Sequence, residues 1–232
     1  MSEKASKDGG SARPAASRRH IDVKALAGWL CVFPLALTAE VDLARLLKGI
    51  ENRYNQPKTL QLSFEQSHVG GGRIAQVEKG EVYLQRPGRM LWDYSQPDGK
   101  FFLSDGKFAY FYSPNTRQVS KSKLKETDDM RAPLAFLVGK LDFDRYFQEY
   151  RTRPEGNDIQ IVTKPKSAKA PYTEVAFLVS PDNYQIKLLT VTGQDQSVMR
   201  YRFTGEQLNP KFAPLLFELK VPEGAQLVEE DR

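Results

Sequence analysis

From Leu60 onward the chain is written in short apolar runs with a two-residue alternation, separated by turn formers. That pattern commits it to antiparallel β structure. Leu60, Leu62 and Phe64 alternate with Gln61, Ser63 and Glu65. Gly70-Gly71-Gly72, Arg86-Pro87-Gly88 and Asp105-Gly106 punctuate the runs as hairpin turns. Between them lie Gly80 to Leu84, Met90 to Tyr94, Phe101 to Leu103 and Phe108 to Tyr112. A second series follows at Ile159 to Val162, Glu174 to Val179, Ile186 to Val191, Val198 to Phe203 and Leu216 to Leu219, with turn chemistry at Pro181-Asp182-Asn183 and Gly193-Gln194-Asp195.

Two segments break the β pattern. Leu43, Leu46, Leu47, Ile50 and Tyr54 recur at helical spacing, with Asp42 as N-cap and Pro57 as terminator. In mid-chain, Pro133 to Val138 is a short apolar piece ending at Gly139, which predicts a helix with a glycine C-cap. Its neighbours are polar, so this helix is expected to cover something. The whole reads as α+β, mainly β: one strongly curved antiparallel sheet with an N-terminal helix and an inserted helical segment. Phe108 to Tyr112 is apolar on both faces, so one face is expected to line a cavity while the other meets a helix.

Charge divides the chain. Residues 1–39 hold six of the 34 basic and three of the 29 acidic residues, which leaves 40–232 at +2. That balance argues against nucleic acid as a partner. The first 39 residues have the layout of an export leader. A basic stretch reaches Arg18-Arg19 and Lys24, the apolar run Ala25–Leu37 is 13 residues long, and Thr38-Ala39 offers a cleavage site. Asp22 interrupts the continuation that a twin-arginine signal needs, so the general secretory route is the expectation. The domain division is therefore a polar extension and leader over 1–39, then one domain over 40–232. Cys31, the single cysteine, falls in the apolar run, and the body is left without thiols.

Chemistry-bearing patterns are missing. Only His20 and His68 are present, and no phosphate loop, nucleophile elbow or dinucleotide fingerprint occurs. His68 reads as an exposed loop residue beside the Gly70 turn. Asp128-Asp129 sits in a charge run, and Asp142 and Asp144 flank Phe143 in the same unremarkable manner. The Lys121-Ser122-Lys123-Leu124-Lys125 stretch reads as a solvated loop, since Glu126, Asp128 and Asp129 soon neutralise it. No catalytic residue, metal site or cofactor is expected.

One stretch is distinctive. Gly80-Glu81-Val82-Tyr83-Leu84-Gln85-Arg86-Pro87-Gly88-Arg89-Met90-Leu91-Trp92-Asp93-Tyr94, then Gln96-Pro97, then Ser104-Asp105-Gly106-Lys107 and Tyr112, resembles the LolA family of periplasmic lipoprotein carriers. Ser63-Phe64-Glu65-Gln66, Pro133-Leu134 to Leu137, and Phe217-Glu218-Leu219 with Val221 to Ala225 fall in the same order, so the likeness spans about residues 41–228. It implies an unclosed β-barrel with a helical lid over a hydrophobic cavity for acyl chains. It implies that Arg86 bonds to lid backbone and holds the empty form closed. Phe64, Met90, Trp92, Phe102, Tyr110, Phe136 and Leu137 are the candidates for the cavity wall. The implied partners are triacylated lipoproteins, an inner-membrane ATP-driven release complex and, where present, an outer-membrane receptor, served by a monomer. Leu91 stands where family members often carry a polar or basic residue, and the Gly70 loop is unusually glycine-rich. A glycolipid or other lipid carrier, and a lipoprotein sensor acting on an anti-sigma factor, share the fold and stay open as alternatives.

Overall fold

The computed structural model describes residues 42–70, 73–74, 77–124 and 140–229, all within the unit Glu40–Arg232. The leader, the Pro133–Val138 segment with Phe136 and Leu137, and Asp128-Asp129 lie outside the described residues.

Helix α1 (Leu43–Asn55) starts where the sequence predicts, with the Asp42 carboxylate accepting from the Arg45 N–H at 3.0 Å. Its periodic stripe is the buried one, with Leu46, Ile50 and Tyr54 at 0–3% exposure. The strands follow as β1 (Thr59–Gly70), β2 (Arg73–Ile74), β3 (Glu78–Gln85), β4 (Arg89–Gln96), β5 (Asp98–Asp105), β6 (Phe108–Ser113) and β7 (Gln118–Lys123). After the short helix α2 (Phe143–Tyr146), capped by Asp142, come β8 (Phe147–Glu155), β9 (Asp158–Pro165), β10 (Tyr172–Val179), β11 (Ile186–Gly193), β12 (Val198–Leu208) and β13 (Gln226–Glu229).

These strands form one curved sheet in the order β13-β7-β6-β5-β4-β3-β1-β12-β11-β10-β9-β8, with β2 hairpinned onto β1. Every pairing is antiparallel except β13 with β7. The end strands β8 and β13 do not pair, so the barrel is unclosed. Curvature shows in the packing. Trp92 on β4 and Tyr201 on β12 are three strand steps apart, about 14 Å on a flat sheet, yet their ring centroids lie at 5.7 Å.

Each face has its own core. The inner face carries Leu62, Phe64, Val82, Met90, Trp92, Phe102, Phe177, Leu189 and Phe203 packed with α1 and with Leu141 and Phe143. The outer face of β5 to β7 carries Leu103, Tyr110, Tyr112 and Val119, covered by Phe217 with Phe212, Leu216 and Leu219.

Three expectations change here. Leu216 to Leu219 forms no strand; the chain turns through 214–217 and drives Phe217 into the outer core. Pro210, Pro214 and Pro222 supply no ladder N–H in this stretch, and a turn replaces the strand that its apolar residues suggest. The second apolar face of β6 therefore meets this C-terminal segment and not a helix. Lys121 to Lys123 is not a solvated loop but the end of β7, with Lys121 Nζ on Glu229 at 2.7 Å and over the Phe108 ring at 4.3 Å.

Candidate functional site

The two motif turns meet because β4 pairs antiparallel with β5, setting Arg89 opposite Asp105. The Ser104 hydroxyl donates to the Gly88 carbonyl at 2.7 Å and accepts from the Gly106 N–H at 3.2 Å. Asp105 accepts from the N–H groups of Lys107 and Phe108 at 2.7 and 2.8 Å. Burial alone would raise its pKa, but these backbone donors prevail and hold the carboxyl below its ordinary value. At Gly88 (φ +77°) a Cβ would stand 3.1 Å from the Gly106 Cα, so a larger residue there would press on the second turn, and Gly106 itself has φ +97°. This interlock explains why R-P-G and S-D-G-K occur as a pair.

The interlock positions Arg86. Its backbone N–H is tied to the Lys58 carbonyl at 2.9 Å, and its guanidinium donates to the Tyr54 carbonyl in the last turn of α1. The C-terminal carbonyls of a helix have no partners within it, and a cation suits them. Burial lowers the Arg86 pKa from its ordinary value. Arg86 therefore bonds to the backbone of α1.

Of the predicted wall residues, Phe64, Met90, Trp92 and Phe102 share the inner face. Phe64 packs edge-on against Trp92 at 4.7 Å and against Tyr94 at 5.0 Å. Trp92 opposes Phe102 across the β4–β5 ladder. All four are 1–7% exposed, beneath α1 and the Leu141–Phe147 segment. Tyr110 is different. It lies on the outer face with Val119 and Phe217, and its hydroxyl donates to Asp105 at 3.1 Å. It cannot line the same surface as Trp92, because it stands directly between the inward Ala109 and Phe111 and successive strand residues face opposite sides.

Further residues fix the cover, and the sequence did not flag them. Tyr54 donates its hydroxyl to Glu206 at 2.7 Å and accepts from the Ile186 N–H at 2.9 Å. Burial, then the Glu206 charge, pushes its pKa up. Arg53 completes the group with Nε on Glu206 at 2.9 Å. Simple alternation from Tyr201 and Phe203 would send Glu206 outward; Gly205 (φ +61°), at a break in the β1–β12 register, turns it in. Asn55 clamps Leu141 from both sides, at 2.7 and 2.8 Å, and Glu51 accepts from the Phe143 N–H at 3.0 Å. Glycine at a strand end was the available signal for the bulge; nothing in the sequence marked Asn55.

A recess of about 590 Å³ lies on the far side of α1, bordered by Arg45, Lys48, Asn52, Asn183 and Tyr184. It is open to solvent, and none of the predicted wall residues borders it. His68 sits on β1, exposed, and not in a loop. Among the described residues no cluster of His, Cys, Asp or Glu is placed to hold a metal.

Comparison with known proteins identifies a family. The family described as "Outer membrane lipoprotein carrier protein LolA" matches residues 55–220. The outer-membrane lipoprotein carrier protein of Bordetella avium (strain 197N) is 31% identical over 169 residues, covering 72% of this chain and 78% of its own. That of Pectobacterium carotovorum subsp. carotovorum (strain PC1) is 28% identical over 205 residues, covering 87% and 98%. Among solved structures, a LolA superfamily protein from Nitrosomonas europaea covers 76% of this chain and 97% of its own, at 8% identity and a TM-score of 0.44. The assignment rests on the sequence matches: this chain belongs to the LolA family of outer membrane lipoprotein carrier proteins.

Proposed function

We propose that this chain is a periplasmic carrier that takes up the acyl chains of lipoproteins released from the inner membrane and delivers them to the outer membrane, without catalysing a reaction. The observation that carries this reading is the aromatic inner face of Phe64, Met90, Trp92 and Phe102, covered by a helix that Arg86 holds by its last carbonyls. A packed apolar face under a removable cover is what a reversible lipid carrier needs. Exposing a chain of a dozen methylenes to water costs roughly 10 kcal/mol, at about 0.8 kcal/mol each. The carrier supplies that burial, and closing the cover over the empty face offsets part of it, so release remains possible. In this reading Phe136 and Leu137 complete the cover. An ATP-driven complex in the inner membrane supplies the work of loading, and a receptor at the outer membrane, where one exists, accepts the cargo from the monomer.

Arg86 is the test. A guanidinium presents its donors in a fixed planar fork, which suits a carbonyl cluster at a helix end. Arg86→Leu removes the latch and leaves the apolar face intact. The variant is expected to load lipoprotein from inner-membrane vesicles but to hand it on poorly, because the closed state that drives release is weakened. Loading and transfer indistinguishable from the parent would remove Arg86 from this role. Mass spectrometry of protein taken from the periplasm checks the cargo itself: co-purified triacylated lipoprotein is expected, and glycolipid or free lipid in its place would redirect the reading.

A further inference from the structure

The inner face carries hydrogen-bond donors in places where an apolar wall needs none. The Trp92 indole N–H, on a residue 3% exposed, donates to the Met90 sulfur at 3.0 Å. The half-buried Gln66 amide nitrogen has the Met199 sulfur as its partner among the described residues, at 3.9 Å, while its oxygen accepts from the Tyr94 hydroxyl at 3.1 Å. The Met199 sulfur is shared, since the Tyr201 hydroxyl donates to it at 2.6 Å. Thioethers are weak acceptors, and a buried donor is normally matched to an oxygen. Both donors are therefore satisfied in a form that a better acceptor readily displaces. They also belong to one patch. Trp92 and Tyr94 flank the Phe64 ring, and Tyr94 carries Gln66.

The neighbouring charge specifies the acceptor. Lys100 lies over the Tyr94 ring at 4.3 Å and is held by both oxygens of Glu78, at 2.6 and 2.7 Å, with 14% and 24% of the two side chains exposed. The cation is already neutralised, so the patch offers nothing to a phosphate. Neutral donors beside aromatic rings suit a neutral oxygen within an otherwise apolar molecule.

We propose that Trp92 and Gln66 form a carbonyl-binding subsite on the inner face, which exchanges its two thioether contacts for the ester carbonyl oxygens of an acylated ligand. The subsite would place the glyceryl linkage of the ligand beside Phe64 and run its chains along the rest of the inner face. This rests on the carrier reading above.

The test compares a tripalmitoylated cysteinyl lipopeptide with its analogue in which both glyceryl esters are ethers, which keeps the chains and removes two carbonyls. The wild-type protein is expected to bind the ester form roughly tenfold more tightly, the worth of about one good hydrogen bond. Trp92→Phe and Gln66→Leu should each shrink that ratio toward one by weakening the ester form alone. In a Trp29→Phe background, which leaves Trp92 as the single indole, the ¹⁵N–¹H indole resonance should move downfield with the ester ligand and not with the ether. An equal affinity for both ligands in the wild type, or an ester preference unchanged in both variants, overturns the subsite and leaves the carrier reading standing. Binding of neither ligand overturns both. If Trp92→Phe fails to fold, Gln66→Leu and the indole resonance decide.

Discussion

Tyr54 shows how much one side chain can settle. Its aromatic body is in the inner core, its hydroxyl joins Glu206 to the Ile186 N–H, and its carbonyl receives Arg86. Removing the hydroxyl as Tyr54→Phe keeps the packing but strands the Ile186 N–H and deprives Glu206, whose side chain is 1% exposed, of one donor. A buried group left unpaired costs about 1–3 kcal/mol. Tyr54→Phe is expected to lower the unfolding free energy by that amount, read as a lower urea midpoint at unchanged slope. A midpoint equal to the parent's would mean that water replaces the hydroxyl and that the α1 anchor is weaker than its geometry suggests. Gly80 is the opposite case, a residue whose value lies in having no side chain. A Cβ there would come within 2.1 Å of the Asp93 carbonyl oxygen and 2.9 Å of the Phe64 ring. The first glycine of the signature stretch is thus where β3 leaves room for the Phe64 ring, which meets Trp92 and Tyr94 edge-on.

Among the elements, the C-terminal segment has the clearest energetic consequence. Phe217 is 4% exposed and is the plug of the outer core, so Phe217→Ala should cost about 3–5 kcal/mol, as large-to-small changes of buried aromatics do. Because it acts on the face away from Trp92, it should leave the affinity for lipopeptide unchanged in whatever fraction stays folded. Thermal unfolding together with lipid titration checks both halves, and a selective loss of lipid affinity would show that the two cores are coupled. Which elements could be read from sequence follows from the same physics. Helix α1 was legible because Leu43, Leu46, Ile50 and Tyr54 are all pulled to one side by a single core, and Asp42 caps it. Strands β1, β3 and β4 were legible because only one of their faces is fully buried. Strand β8 was not, since Gln148 to Glu155 is mostly exposed, without an apolar side to alternate with. Its arginines, Pro154 and a positive φ at Glu149 are devices that protect an open edge, and they erase the strand signal. The site divides in the same way. Phe64, Met90, Trp92 and Phe102, which the family likeness suggested as wall residues, lie together on the inner face, whereas Tyr110 lies on the outer one, because β6 is apolar on both sides and parity there has two answers.

At the scale of the whole molecule, two cores lie on opposite faces of one sheet, and under the proposed carrier reading the outer one keeps the shape while the inner one changes occupant. The outer core needs no mobile part: Val119 is fully buried, and the covering segment is tied to the sheet by the β13–β7 pairing. The inner core is completed by α1, which contributes Leu46, Ile50 and Tyr54 to it. Moving those three away costs roughly 6 kcal/mol, at about 2 kcal/mol per buried side chain. One acyl chain of a dozen methylenes recovers about 10 kcal/mol on the same face. In the proposed carrier cycle even one chain more than offsets the loss of these three contacts. The consequence appears in hydrogen exchange. When the protein is saturated with a tripalmitoylated cysteinyl peptide, amides of Leu46 to Tyr54 should exchange at least tenfold faster, because the carbonyl latch and the Glu206 anchor are released. Amides of β6 and β7 should keep their rates. The same peptide without its acyl chains should change neither set. Unchanged or increased protection of α1 in the loaded protein would mean that cargo enters beside the helix, and that the cover is made elsewhere.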